Sequence, residues 1–145
     1  TTIEFMDNEA IKTVELFLDE KLPHSESGYY IIMSVEGDHE ELLEEQCAFI
    51  DELCTENGAL SVLVADPTKI WKARKAYAEA DRARSLVFSM EDLVVPPNQI
   101  AKAVKEIARL GEKYDNIAIH CAGHAGDGNI HANILKDKNF SYRCL

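Results

Sequence analysis

The apolar positions along the chain change their period several times, and each change marks an element. Asp7 and Asn8 offer a helix N-cap, after which Ala10, Ile11, Val14, Phe17 and Leu18 recur at helical spacing. Residues 23–28, with Pro23, two serines and Gly28, read as a loop. Residues 29–36 are rich in strand formers and stop at Gly37, where Asp38 with Glu41 resembles a capping box. The helix that follows places Leu43, Cys47, Ile50 and Cys54 on one face and ends at Asn57-Gly58. Residues 60–65 predict a short buried strand. Asp66-Pro67 then opens a third helix to about Ala80, with proline at its first helical position.

The second half repeats the alternation. Residues 85–88 and 93–95 flank Glu91-Asp92, which predicts a strand interrupted by a polar pair. Pro96-Pro97 opens a fourth helix with Ile100, Val104, Ile107 and Ala108 inward. Residues 116–122 predict a strand, 123–128 a turn and 129–135 another strand, close enough in sequence to form a hairpin. The expected architecture is α+β: an antiparallel or mixed sheet with helices packed on one face, in a split βαβ (ferredoxin-like) arrangement.

Composition narrows the function classes. With 145 residues the chain is expected to form a single domain, and 46% hydrophobic with 28% charged residues is globular rather than disordered. Fifteen basic against 26 acidic side chains give a net charge of −11. That balance supplies no basic stripe for nucleic acid and disfavours anionic lipid surfaces. No apolar run approaches the roughly 18 residues a membrane helix needs, and no signal peptide is expected in this stretch. Cys47, Cys54, Cys121 and Cys144 form no CxxC pair, and Cys47 and Cys54 stand two helical turns apart, too far to bond. Reduced thiols in a cytoplasmic protein are expected.

Candidate chemistry concentrates in the stretch from Gly123 through His124, Gly126, Asp127, Gly128, Asn129 and His131 to Asn133. Three glycines in six positions suit a tight turn, and strand alternation puts Asn129, His131, Asn133 and Leu135 on one face. The turn can return His124 beside His131, and two imidazoles can share a divalent ion. Asp127 then either orients an imidazole or caps the turn. Read without a ligand, the same residues are turn formers and a satisfied strand histidine. Arg74 is the second candidate, since it shares the third helix with Ile70, Trp71, Tyr77 and Ala78. Its partner is a substrate carboxylate, a structural acid, or the face of Trp71. His24, His39 and His120 show no partner pattern, and the acidic runs at 40–45 and 51–56 read as solvated helix faces.

Several blocks together resemble the FAD-linked oxidase C-terminal domain, the family of glycolate oxidase flavoprotein subunits, D-lactate dehydrogenases and D-2-hydroxyglutarate dehydrogenase. They are Glu4-Phe5-Met6-Asp7, Val35-Glu36-Gly37, Trp71 with Arg74-Lys75, Glu91-Asp92 through Val95-Pro96, and the glycine-rich motif, in family order. The resemblance implies a substrate-binding cap domain, a fragment of a longer FAD-dependent oxidoreductase whose N-terminal FAD-binding domain is not included. It implies His124 and His131 as ligands of a divalent metal such as zinc, manganese or iron. Arg74 and Asn133 would bind the substrate, and Gly126, Asp127, Gly128 and Asn129 would shape the turn and its surroundings. Met90 and Glu91 stand where other members carry a base for a second carboxylate, which favours a monocarboxylate such as glycolate or D-lactate. The family pattern continues to an acidic residue followed by histidine, a third ligand and a general base, and nothing after Asp137 matches it.

The implied activity is oxidation of a small 2-hydroxy acid by the parent flavoprotein, with the isolated chain inactive. Its implied partners are that substrate, the FAD-binding domain, an electron-transfer protein or iron–sulfur subunit, and a second copy of the chain; nucleic acid is not among them. The rival expectations are a non-catalytic α+β ligand-binding or dimerisation module and a self-contained metallohydrolase using His124, His131 and Asp127.

Overall fold

Five antiparallel strands in the order β2-β1-β4-β5-β3 form the centre of the computed structural model, which describes residues 2–26 and 28–136. In chain order the elements are β1 (Thr2–Met6), α1 (Asn8–Leu18), β2 (Tyr30–Ser34), α2 (Glu40–Glu56), α3 (Pro67–Arg84), β3 (Phe88–Val94), α4 (Ile100–Glu112), β4 (Ile117–His124) and β5 (Asn129–Lys136). The expected α+β class holds: the described residues form four α-helices and an antiparallel sheet. Within it, β3, α4 and β4 make a split βαβ unit: β5 lies between the two outer strands and runs antiparallel to both. The one-face expectation needs correcting for α4. Helices α1 and α3 cover the face that carries Met6 and Ala122, whereas Ile100 and Val104 of α4 pack with Phe5, Cys121 and Ile130 on the other.

Local chemistry accounts for the helix ends. The Asp7 carboxylate accepts from Ala10 N at 2.8 Å, satisfying one orphan donor of α1, and Asp66 does the same for Thr68 at the start of α3. Proline occupies the first position of α3 as expected. Ala73, Ala76 and Ala80 give α3 a small-residue face, so it approaches α1 and the sheet closely.

Several elements differ from the sequence pattern. Strand β1 was not expected, although Ile3 and Phe5 alternate with Glu4 and Met6 along it. Strand β3 runs unbroken through Glu91-Asp92, because an edge strand can turn one charge outward and pair the other. The segment 60–65 is neither strand nor buried, with Val64 98% exposed. An apolar run becomes a strand only by pairing with a sheet edge, and this one meets none among the described residues. Helix α2 starts from His39 without a side-chain cap and buries none of its residues; Phe17 and Ala108 also face outward. Pro97 opens a 3-10 turn, and α4 proper begins at Ile100. Cys47, Cys54 and Cys121 are free thiols, and Cys144 lies outside the described residues. Among the described residues no helix is long and apolar enough to cross a membrane.

Candidate functional site

The site lies on the α1/α3 face of the sheet, where polar side chains replace the usual apolar layer. Alternation carries His120, Ala122 and His124 of β4 to that face, and β5 adds Asn129, His131 and Asn133. The four-residue connection from β4 to β5 depends on glycine at two points. A Cβ on Gly128, whose φ is +78°, would lie 2.0 Å from the carbonyl oxygen of Val95, and one on Gly123 would lie 2.2 Å from that of Asn129. Both obstacles are backbone, so neither can swing aside.

This hairpin brings His124 and His131 together, their rings edge to face with centroids 5.1 Å apart. Each histidine is held by a carboxylate from its cross-strand neighbour. Glu4 on β1 stands opposite His124 and meets its Nδ1 at 2.7 Å. Asp92 on β3 stands opposite His131 and meets its Nδ1 at 2.5 Å. A carboxylate accepts but does not donate, so each Nδ1 carries the hydrogen, and in the neutral imidazole each Nε2 keeps its lone pair. That is the tautomer in which Nε2 can act as a ligand. Asp127 does neither imidazole this service; it is exposed in the turn, where its backbone N–H donates to His124 O at 3.1 Å. Gly126 is bonded there through its N–H to Ile3 O, and Asn129 Oδ1 is buried without a hydrogen-bond partner.

Arg74 reaches the same site from α3. Its Nη2 and Nε lie 3.0 and 3.2 Å from Glu4 Oε2, so one carboxylate bridges the arginine and His124. Both side chains of this ion pair are nearly enclosed, 11% exposed for Arg74 and 8% for Glu4. A cavity of about 230 Å³ opens beside the pair, lined by Arg74, Lys75, Tyr77, Met90, Asp92 and His131 among others. Trp71 is not the partner of the guanidinium.

Below the cavity the polar layer continues into the core. Tyr77 OH donates to His120 O at 2.6 Å, and burial pushes its hydroxyl far above the ordinary tyrosine range. His120 Nδ1 meets Asp81 Oδ1 at 2.6 Å, while Asn133 Nδ2 donates to Asp81 Oδ2 at 2.7 Å. On the far side of the imidazole, Arg84 Nη1 lies 3.2 Å from His120 Nε2. Asn133 is therefore fully enclosed and committed to Asp81, beneath the cavity rather than lining it. His120, read as ordinary from sequence, is a central member of this network. The spacing Arg74, Tyr77, Asp81, Arg84, at steps of three and four along α3, is the signal that points to it.

Two imidazoles make a partial donor set. Among the described residues no group of three or more His, Cys, Asp or Glu side chains is clustered to hold a metal ion. The donor chemistry nevertheless suits a divalent ion, with two tautomer-fixed Nε2 atoms beside an anion-binding guanidinium.

An antiparallel α+β domain that presents paired histidines and an enclosed arginine on one sheet face defines the class. The chain belongs to the family described as FAD linked oxidases, C-terminal domain, which it matches over residues 1–141. It is 35% identical over 138 residues to a D-lactate dehydrogenase of Anaerostipes hadrus, a match covering 89% of this chain and 29% of that protein. It is 31% identical over 141 residues to the glycolate oxidase subunit GlcD of Bacillus subtilis strain 168, covering 94% of this chain and 29% of the relative. To a mitochondrial D-2-hydroxyglutarate dehydrogenase of Bos taurus it is 29% identical over 143 residues, covering 94% of this chain and 26% of that protein. The chain thus spans less than a third of the length of these relatives.

Proposed function

We propose that this chain is the substrate domain of an FAD-dependent enzyme that oxidises a small 2-hydroxy acid of the glycolate or D-lactate type. The observation that carries this reading is the pairing of two histidines, each with Nδ1 tied to a carboxylate and Nε2 open, beside a cavity lined by Arg74. The family and the names of its relatives give the same direction.

In this reading Arg74 binds the substrate carboxylate through Nη1, because Nη2 and Nε are already directed at Glu4. The guanidinium is held before substrate arrives, so little side-chain entropy is lost on binding. Met90 contributes an apolar wall to the cavity, and Lys75 lines it as a second cation beside Arg74. His124 and His131 would hold a divalent ion through their Nε2 atoms. Such an ion, when bound, supplies Lewis acidity that lowers the pKa of the substrate hydroxyl. The cavity is small for a flavin dinucleotide, so FAD belongs with a separate domain and no flavin step is assigned to residues of this chain. Asn133, together with Asp81 and His120, supports β5 from below.

The test is a Zn2+ titration of the chain followed through the imidazole resonances of His124 and His131, with and without glycolate or D-lactate. Both rings should respond together, and Arg74→Met should abolish the dependence on the acid while sparing the response to Zn2+. Imidazoles that ignore the ion would overturn the metal role, and an unchanged acid response in Arg74→Met would overturn the anchor.

A further inference from the structure

Among the described residues, Glu4 is the one acid that touches both proposed binding groups. It sits on β1, opposite His124 in register, with its side chain 8% exposed beneath α3. Its two oxygens are divided: Oε1 meets His124 Nδ1, and Oε2 meets Nη2 and Nε of Arg74. Both of these partners are donors, and the carboxylate is their common acceptor.

We infer that Glu4 is a positioning residue, whose single carboxylate fixes Arg74 and His124 relative to each other and selects the His124 tautomer that leaves Nε2 open. The inference rests on the substrate and metal roles proposed above and adds a residue to them. Asp92 performs the second task alone for His131, but it is 64% exposed and touches no cation at the site. Among the described residues, only Glu4 joins the anchor for the substrate carboxylate to a proposed ligand of the ion. The distance between those two points decides whether one 2-hydroxy acid can reach both, and that is the orientational part of catalysis.

The substitution Glu4→Gln separates this role from simple packing. The carboxamide offers one acceptor oxygen to two sets of donors. Arginine has no acceptor atom, so the amide oxygen must face Arg74 and the NH2 must face His124. The imidazole can meet that NH2 only by moving its hydrogen to Nε2, which removes the lone pair available to an ion. Glu4→Asp keeps two charged acceptors and should restore the original tautomer in part.

The experiment is long-range 1H–15N correlation spectroscopy of the 15N-labelled chain at about pH 8, above the ordinary imidazole range, followed by a Zn2+ titration. The unsubstituted chain should show His124 and His131 both protonated at Nδ1. In Glu4→Gln, His124 alone should switch to the Nε2–H form, with Zn2+ affinity lower by about 10- to 100-fold. The inference is overturned if His124 of the unsubstituted chain is the Nε2–H tautomer, a measurement that needs no variant to fold. It is also overturned if a folded Glu4→Gln chain keeps the tautomer and the affinity. His124→Ala and His131→Ala run alongside: if neither lowers Zn2+ affinity, the metal reading fails, while the tautomer data still decide the role of Glu4.

Discussion

Truncating Asp81 tests whether the enclosed polar layer stabilises this fold. Both carboxylate oxygens are occupied, Oδ1 by His120 Nδ1 and Oδ2 by Asn133 Nδ2, and all three side chains are fully buried. Asp81→Ala leaves two donors without acceptors, at about 1–3 kcal/mol each. It also removes the carboxylate that faces Arg84 across the imidazole, and breaking a buried charged network costs about 3–5 kcal/mol. The expected loss is about 3–5 kcal/mol, a large share of the roughly 5–15 kcal/mol that holds a domain together. Asp81→Asn should be much milder. His120 cannot turn over, because its Nε2 faces the donor Arg84, so the new amide oxygen must accept from Nδ1. The new NH2 then meets Asn133, whose Oδ1 has no hydrogen-bond partner and can take it after a flip of the amide. That rescue limits the loss to about 1–2 kcal/mol, the worth of a charge-assisted bond reduced to a neutral one. Urea unfolding of the three proteins gives both numbers. A loss below about 1 kcal/mol for Asp81→Ala would refute the network's contribution, and equal losses for the two variants would refute the hydrogen-bond assignment.

Two further perturbations address the cap and the turn. Burial is the main reason the Asp7 carboxyl is raised from 3.8 to about 6 in the fold, against the opposing N–H groups of Ala10 and Cys121. The folded state therefore holds this proton more tightly than the unfolded chain does. The resulting stabilisation is full below about pH 4 and lost as pH rises through about 6, a change of about 3 kcal/mol. Glu15 shifts the opposite way: burial raises it, but bonds from Leu22 and Lys21 outweigh that and lower it, so its contribution is lost only as pH falls below its ordinary range. Asp7→Ser keeps a capping oxygen and removes the titration, so its urea-derived stability should lose the fall between pH 4 and 6; parallel profiles would show that Asp7 is not the source. In the turn, Gly128→Ala should cost about 2–5 kcal/mol, from a positive φ and a backbone clash at Val95. Gly126→Ala, whose Cβ would come no closer than 3.9 Å to Ile3, should stay within about 0.5 kcal/mol. Similar thermal or urea midpoints for the two glycine variants would contradict the assigned turn geometry.

What the sequence showed and what it hid follow from the range of the interactions. Helix α3 announces itself through Asp66-Pro67, a cap and a first-turn proline that act within three residues. The hairpin of β4 and β5 is similarly local, with glycines where backbones nearly touch. Strand β1 was missed because five residues carry a weak alternation, and because Glu4 at an inward position looks like a surface acid until its partners are known. Those partners are 70 and 120 positions away. The same holds for His120, whose acid comes from α3, 39 residues earlier. Segment 60–65 failed in the other direction: its composition suits a strand, but composition cannot supply a neighbour to pair with.

The candidate site is unusually dependent on register. Its four strands contribute Glu4, His124, His131 and Asp92 in that spatial order, with carboxylates on the flanking strands and imidazoles on the central pair. A slip of one residue on any of them turns its contribution to the α4 face, where Phe5, Cys121 and Ile130 are packed. Such a slip would bury a charge in an apolar cluster and expose an aromatic or aliphatic side chain in exchange, so the hydrophobic pattern itself penalises it. The glycines then set the phase at the β4–β5 turn, because only at Gly128 can the chain pass the carbonyl of Val95. Site geometry here is thus a consequence of core packing on the opposite face of the same sheet. Enlarging a residue such as Ala132 on that face should disturb the His124–His131 separation without touching either ring.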